Sequence, residues 1–122
     1  MKFSITHVDH IQLAAPQKSE KLARHFFGDI LQMKEISKPE SLKQRGGVWF
    51  ECGKQQLHIG IQKDFLPAKK AHPAFYVNNL NDLYEKMKLN GFDVEKHELL
   101  PNMNRFYVHD PFGNRLEFLE HM

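Results

Sequence analysis

The sequence predicts an α+β fold made of two βαβββ modules, one in each half of the chain. Three observations predict it. The 122 residues suit one compact unit, extended runs of period two are interrupted by two helical patterns, and the second half repeats the element order of the first. His10 and His72 hold the same place in the first strand of each half. We therefore expect one domain over residues 1–122, with module one at about 5–62 and module two at about 71–121.

Module one begins with an extended apolar run at 8–14, which Pro16 closes. A helical pattern follows, with Ser19 as its expected cap. The apolar residues of this helix recur at a spacing of about four and share one stripe: Leu22, Phe26, Phe27, Ile30 and Leu31. Three strands complete the module, and they are expected at 34–36, 47–52 and 56–61.

Module two begins with an extended run at 71–77. Asn81 is expected to cap the next helix and Gly91 to end it. The apolar stripe of that helix contains Leu83, Tyr84 and Met87. The remaining strands are expected at 92–96, 105–110 and 115–121, with a Pro-Phe-Gly-Asn turn at 111–114 between the last two.

Composition excludes several classes of function. The 17 Lys and Arg residues face 15 Asp and Glu, and a net charge of +2 is too weak for a dedicated nucleic-acid surface. Cys52 is the single cysteine, which excludes a disulfide scaffold or a Cys-rich zinc module. The chain shows no signal-peptide core and no apolar run long enough to cross a membrane. We therefore expect a cytoplasmic protein that binds neither nucleic acid nor membrane.

Four strands each carry a potential metal ligand on the face opposite their aliphatic residues, because successive side chains of a strand alternate between its two faces. These ligands are His10, His58, His72 and Glu117. Imidazole and carboxylate groups together suit a divalent ion such as zinc, nickel, manganese or iron. The pattern predicts a metal site but leaves the identity of the metal open.

Three motifs carry a family resemblance: Asp-His-Ile at 9–11, Ala-His-Pro-Ala-Phe at 71–75 and Asp-Pro-Phe-Gly-Asn-Arg-Leu-Glu at 110–117. With them the sequence resembles the vicinal oxygen chelate superfamily of glyoxalases, bleomycin-resistance proteins and extradiol dioxygenases. The resemblance implies that the two modules curl into an incomplete barrel-like mixed sheet around a divalent metal. It implies that the ligands come from the first and fourth strands of each module, which gives the four residues named above. Dimers are common in that superfamily, and modules of two chains can complete each site. A chain of 122 residues is also compatible with a closed monomeric barrel, so the monomer and the homodimer both stay open.

His58 departs from the glyoxalase I pattern, which usually has a glutamate at this position. If His58 is a ligand, the site holds three imidazoles and one carboxylate, and Glu117 alone remains for carboxylate chemistry. If it is not, the ligands are two histidines and one carboxylate, namely His10, His72 and Glu117. This set matches that of extradiol dioxygenases and fosfomycin-type thiol transferases. His58 is then an outer hydrogen-bond donor or an acid–base group. Glu117 and His58 are the candidate catalytic residues in either case.

The resemblance implies a metal-dependent, glyoxalase-like enzyme. It would bind two neighbouring oxygens of a small oxygen-rich substrate and stabilise the negative charge that develops there. Trp49, Phe106 and Arg105 are expected to line the substrate pocket. The alternatives are an extradiol dioxygenase, a fosfomycin-type thiol transferase, or a metal-free protein that sequesters a drug as bleomycin-resistance proteins do.

Overall fold

The computed structural model describes residues 1–96 and 103–122. Its strands form two four-stranded mixed sheets. The first sheet contains β1 (His10–Ala15), β2 (Glu35–Ile36), β3 (Val48–Cys52) and β4 (Gln55–Ile61), in the order β1-β4-β3-β2. The second contains β5 (Ala74–Tyr76), β6 (Glu95–Lys96), β7 (Met103–His109) and β8 (Arg115–His121), in the order β5-β8-β7-β6. In each sheet the first and fourth strands are parallel and the other pairs are antiparallel. The predicted α+β fold of two βαβββ modules is confirmed, and the metal within it stays a prediction.

The helix of module one departs from a regular α-helix. The segment α1 (Glu20–Ala23) continues as a wider π-helical turn over Arg24–Ile30, in which the Leu31 N–H donates to the Phe26 carbonyl at 3.0 Å. Leu22, in the α-helical segment before this turn, is 54% exposed, so its predicted place on the buried apolar stripe is wrong. Ser19 occupies the N-cap position, as predicted, but its hydroxyl donates to the Pro16 carbonyl and makes no capping hydrogen bond.

The helix of module two, α2 (Leu80–Leu89), is held by a carboxylate distant in sequence. Glu120 accepts the N–H groups of Asn79 and Leu80, each at 3.0 Å, and its negative charge suits the positive end of a helix. The predicted cap at Asn81 is wrong, because Asn79 occupies the N-cap position and the helix begins two residues earlier than predicted. Gly91 follows the helix with a φ of +83°, and this confirms the predicted end.

The core lies between the sheets and the helices, and contacts among the described residues join the two modules. The Asn114 side chain donates to the Ala14 carbonyl at 2.8 Å. Lys86 of α2 donates to the Ile30 carbonyl at 2.7 Å, where the π-helical turn ends. Phe26 and Phe92 meet edge to face, with ring centroids 5.1 Å apart.

The loop between β2 and β3 contains a 3₁₀ helix (Glu40–Arg45), which the sequence did not predict. Within residues 1–96 and 103–122, no helix has the length and apolar character needed to span a bilayer.

Candidate functional site

Strand register places the four predicted ligands at matching positions of the two modules. Parallel pairing of β1 with β4 sets Gln12 beside His58, and pairing of β5 with β8 sets Ala74 beside Glu117. His58 and Glu117 therefore occupy the same position of their sheets. His10 and His72 each lie two residues before the paired position, on the same face. The similarity between the two modules thus extends from the order of their elements to the positions of individual side chains.

The module-one pair forms a stack of three rings. His58, 4% exposed, lies parallel to the Trp49 ring at 3.7 Å between centroids, and His10 covers its other face at 4.3 Å. The Nε2 atom of His58 donates to the Gln56 amide oxygen at 2.8 Å, which leaves the lone pair on Nδ1. The Nδ1 atom of His10 donates to the Asp9 carboxylate at 2.9 Å, which leaves the lone pair on Nε2.

Burial lowers the pKa of His58, and the neighbouring His10 lowers it further. The ring is therefore held in its neutral form. Neutral imidazole is the form that binds a metal or accepts a proton, so the environment of His58 suits both roles considered for it.

The module-two pair is an ion pair. His72 donates from Nδ1 to the Lys70 carbonyl at 2.7 Å and from Nε2 to the Glu117 carboxylate at 3.0 Å. Both ring nitrogens of His72 therefore face an oxygen atom, one of the backbone and one of the Glu117 side chain. Burial raises the pKa of Glu117, but hydrogen bonds from His72, Tyr107 and Arg105 outweigh it and lower the pKa overall. Glu117, 6% exposed, is therefore a well-held carboxylate.

The donor atoms suit a divalent metal, but one chain presents them in two halves. Among the described residues no group of three or more His, Cys, Asp or Glu side chains could hold a metal ion. Each module instead offers two donors, and a catalytic zinc site typically uses three protein ligands. Together the two pairs supply three imidazoles and one carboxylate, which is a suitable donor set for zinc, nickel, manganese or iron. The donor types therefore suit a divalent metal, but a complete site requires the module-one pair and the module-two pair to lie around the same ion.

The three predicted pocket residues lie on different faces. Trp49 lies on the ligand face of module one, against His58. Arg105 lies beside Glu117, with its Nη1 atom 3.5 Å from a carboxylate oxygen. Phe106 points the other way and is 2% exposed, with its ring packed 5.5 Å from that of Phe118 in the core. Phe106 therefore does not line the face that carries Glu117, because successive residues of β7 alternate in direction.

Three residues outside the predicted set also lie at this candidate site: Gln56, Tyr107 and Arg115. Tyr107 lies directly opposite Glu117 in the β7–β8 ladder, and its hydroxyl contributes to the lowered pKa of that carboxyl. The Arg115 guanidinium lies 4.1 Å above the Tyr107 ring. Counting outward from the 110–114 turn would have found both, since a hairpin turn fixes which residues of the two strands are opposite.

The model of the Glyoxalase/Bleomycin resistance protein/Dioxygenase superfamily matches residues 7–118. A solved structure described as a putative glyoxalase family protein from Bacillus anthracis is 48% identical, with a TM-score of 0.96 and full coverage of both chains. Lactoylglutathione lyase from Agrobacterium tumefaciens is 20% identical with a TM-score of 0.74, and the match covers 95% of this chain and 94% of that one. A glyoxalase/dioxygenase from Nostoc punctiforme is 18% identical with a TM-score of 0.78, over 100% and 99% of the two chains. The last two show a shared fold. No protein with a curated description matches the chain.

Proposed function

Since the chain belongs to the Glyoxalase/Bleomycin resistance protein/Dioxygenase superfamily, we propose that it is a metal-dependent, glyoxalase-like enzyme acting on a small oxygen-rich molecule. The observation that carries the proposal is the strand register, in which His58 and Glu117 occupy equivalent positions of their sheets. In each module a histidine, His10 or His72, lies two residues before the residue that pairs with this position. The proposed ligands are His10, His72 and Glu117, with His58 as the fourth. A divalent ion bound there would stabilise negative charge on two neighbouring substrate oxygens.

The two candidate proton-transfer groups differ in their environment. The lowered pKa of Glu117 makes it a weak base near neutral pH, and its carboxylate is already held by three donors. His58 is neutral and carries its lone pair on Nδ1, because Nε2 donates to Gln56. We infer that Glu117 mainly anchors the cation, and that His58 is the better proton acceptor whenever it is not itself bound to the metal.

The halves are proposed to meet in a homodimer, with module one of one chain facing module two of its partner. Two donors from each side give four ligands per site, and the dimer would hold two such sites. The separation of the pairs within one chain supports this arrangement. It also predicts that neither half binds a metal tightly without the other.

Complementation between inactive variants tests the proposal directly. One variant lacks the module-one ligands through His10→Ala and His58→Ala, and the other lacks the module-two ligands through His72→Ala and Glu117→Ala. Each is purified without chelators or a nickel column, and its metal content is measured by mass spectrometry. The two are then unfolded together, refolded with the metal of the parent protein, and compared with each variant refolded alone.

A site shared between two chains predicts that each variant alone holds no metal, whereas mixed dimers regain one intact site of their two. Recovered turnover of a methylglyoxal–thiol adduct would identify a glyoxalase reaction. Failure of the mixture to regain metal would refute the shared site. A parent protein that is purified without stoichiometric metal and binds an apolar drug would instead favour the drug-sequestering function.

A further inference from the structure

Arg115 is a cation on the ligand face for which the described residues provide no anionic partner. It is the first residue of β8, two residues before Glu117, so both side chains lie on the same face of the sheet. Its guanidinium stacks on the Tyr107 ring at 4.1 Å, and no described residue accepts a hydrogen bond from it. This contact holds the guanidinium against the ring, and its N–H groups have no acceptor among the described residues.

The charge around this arginine is unbalanced. Two arginines lie on the face that carries Glu117: Arg105, beside its carboxylate, and Arg115, above the Tyr107 ring. The single carboxylate of Glu117 already accepts from His72, Tyr107 and Arg105. Among the described residues of this face, positive charge therefore exceeds negative charge, and a half-buried cationic surface of this kind attracts anions.

Arg115 and His72 also line a cavity between the modules, with a volume of about 370 Å³. Gln12 of β1 also lines this cavity, and Phe65 and Leu66 of the segment between the modules contribute apolar side chains to its wall. A few polar groups set in an apolar lining are typical of a small-molecule site. Asn114 borders the cavity too, but both hydrogens of its amide are already donated, to Ala14 and to Asp110. Arg115 is therefore the group best placed to hold an anion there.

We propose that Arg115 binds a carboxylate or phosphate group of the substrate, so that the substrate is an anion held beside the module-two ligands. This inference rests on the proposed function, because it names the substrate class of the same site. A guanidinium offers two parallel N–H groups that match the oxygens of a carboxylate or phosphate, and its stacking on Tyr107 reduces the freedom lost on binding.

The test uses the full chain, labelled with ¹⁵N and free of metal, so that its result does not depend on the metal site. The Arg115 Nε–H resonance is assigned by its loss in Arg115→Lys and followed while inorganic phosphate or glycolate is added. We expect a saturable shift of this resonance with at least one of the two probes and no comparable shift of the Arg24 resonance. Arg24 is a suitable reference because it is paired with Glu35 at 2.9 Å. The probe that binds more tightly identifies the anionic group.

Calorimetric titration of the same probes provides the second measurement. Arg115→Met should weaken binding by about tenfold or more, the loss expected for a charged hydrogen-bonding partner. Arg24→Met, which removes the same charge elsewhere, should bind the probe as the parent does. An Arg115 resonance that does not move with either probe, or equal affinity in the parent and Arg115→Met, would overturn the proposal. Because no metal is present, either result would leave the complementation test unaffected.

Discussion

Replacing Asn114 by alanine should destabilise the protein strongly, because this side chain joins the two modules. Asn114 is 7% exposed and donates to the Ala14 carbonyl at 2.8 Å and to the Asp110 carboxylate at 2.9 Å. A neutral hydrogen bond contributes about 0.5–1.5 kcal/mol and one to a charged group about 1.5–3 kcal/mol. Their joint loss should reduce the free energy of unfolding by about 2–4 kcal/mol.

Urea unfolding of the parent and of Asn114→Ala measures this difference, provided that the slope against urea is unchanged. Asn104→Ala is a matched control, because Asn104 is exposed and its side chain makes no described hydrogen bond; its effect should stay within about 0.5 kcal/mol. A loss below about 1 kcal/mol in Asn114→Ala, or an equal loss in both variants, would refute the reasoning.

The pH dependence offers a further check on the same pair. Burial raises the pKa of Asp110, although hydrogen bonds from Asn114, Phe112 and Gly113 oppose the shift. Stability linked to this group is therefore full below the pKa of the unfolded chain and is lost as pH rises through the folded value. Asn114→Ala removes an opposing hydrogen bond and raises the folded pKa further. The destabilisation should accordingly be larger at neutral pH than in acid, and an effect independent of pH would contradict this account.

Three other predictions concern the ligand face. Fluorescence of Trp49, which is stacked on His58, should fall as that imidazole is protonated. Because burial lowers the pKa of His58, the midpoint of this change should lie at a lower pH than for an ordinary histidine. The change in fluorescence should be absent in His58→Ala. His72→Ala should weaken metal binding by more than the roughly 10–100-fold typical of a residue that only hydrogen-bonds to a ligand. His25 is exposed, so His25→Ala should leave metal binding unchanged. Equal metal content of the two variants after dialysis would disprove ligation by His72. His58→Glu should keep the metal and raise turnover of a methylglyoxal–thiol adduct; loss of the metal would show that position 58 does not face it.

Much of the site could be predicted because the alternation along a strand is a strict local rule. It placed His58 and Glu117 on the faces where the structure has them, and the 110–114 turn fixed the start of β8. The same rule applied to β7 would have replaced Phe106 by Tyr107, since the expected strand at 105–110 already contained both residues. Choosing an aromatic residue without assigning its face caused that error.

Other features lay beyond local rules. The π-helical turn of module one depends on how Phe26 and Phe27 pack into the core, and the helical pattern alone does not reveal the change of period. The Glu120 contact that starts α2 joins residues about forty positions apart, which no capping motif records. The separation of the ligands into two pairs depends on how the modules pack, so the sequence pattern could name the donors without placing them together.

The equivalent register of His58 and Glu117 has a stereochemical consequence. In the proposed dimer, a module-one sheet of one chain and a module-two sheet of its partner would offer equivalent positions to one ligand. The first would present an uncharged imidazole and the second a carboxylate beside Arg105. A molecule with two unequal oxygens would therefore have one preferred orientation, and the same prochiral face would be presented in every turnover. The duplicated scaffold is nearly symmetric, but the reaction it supports should yield a single enantiomer, which chiral chromatography of the product would show.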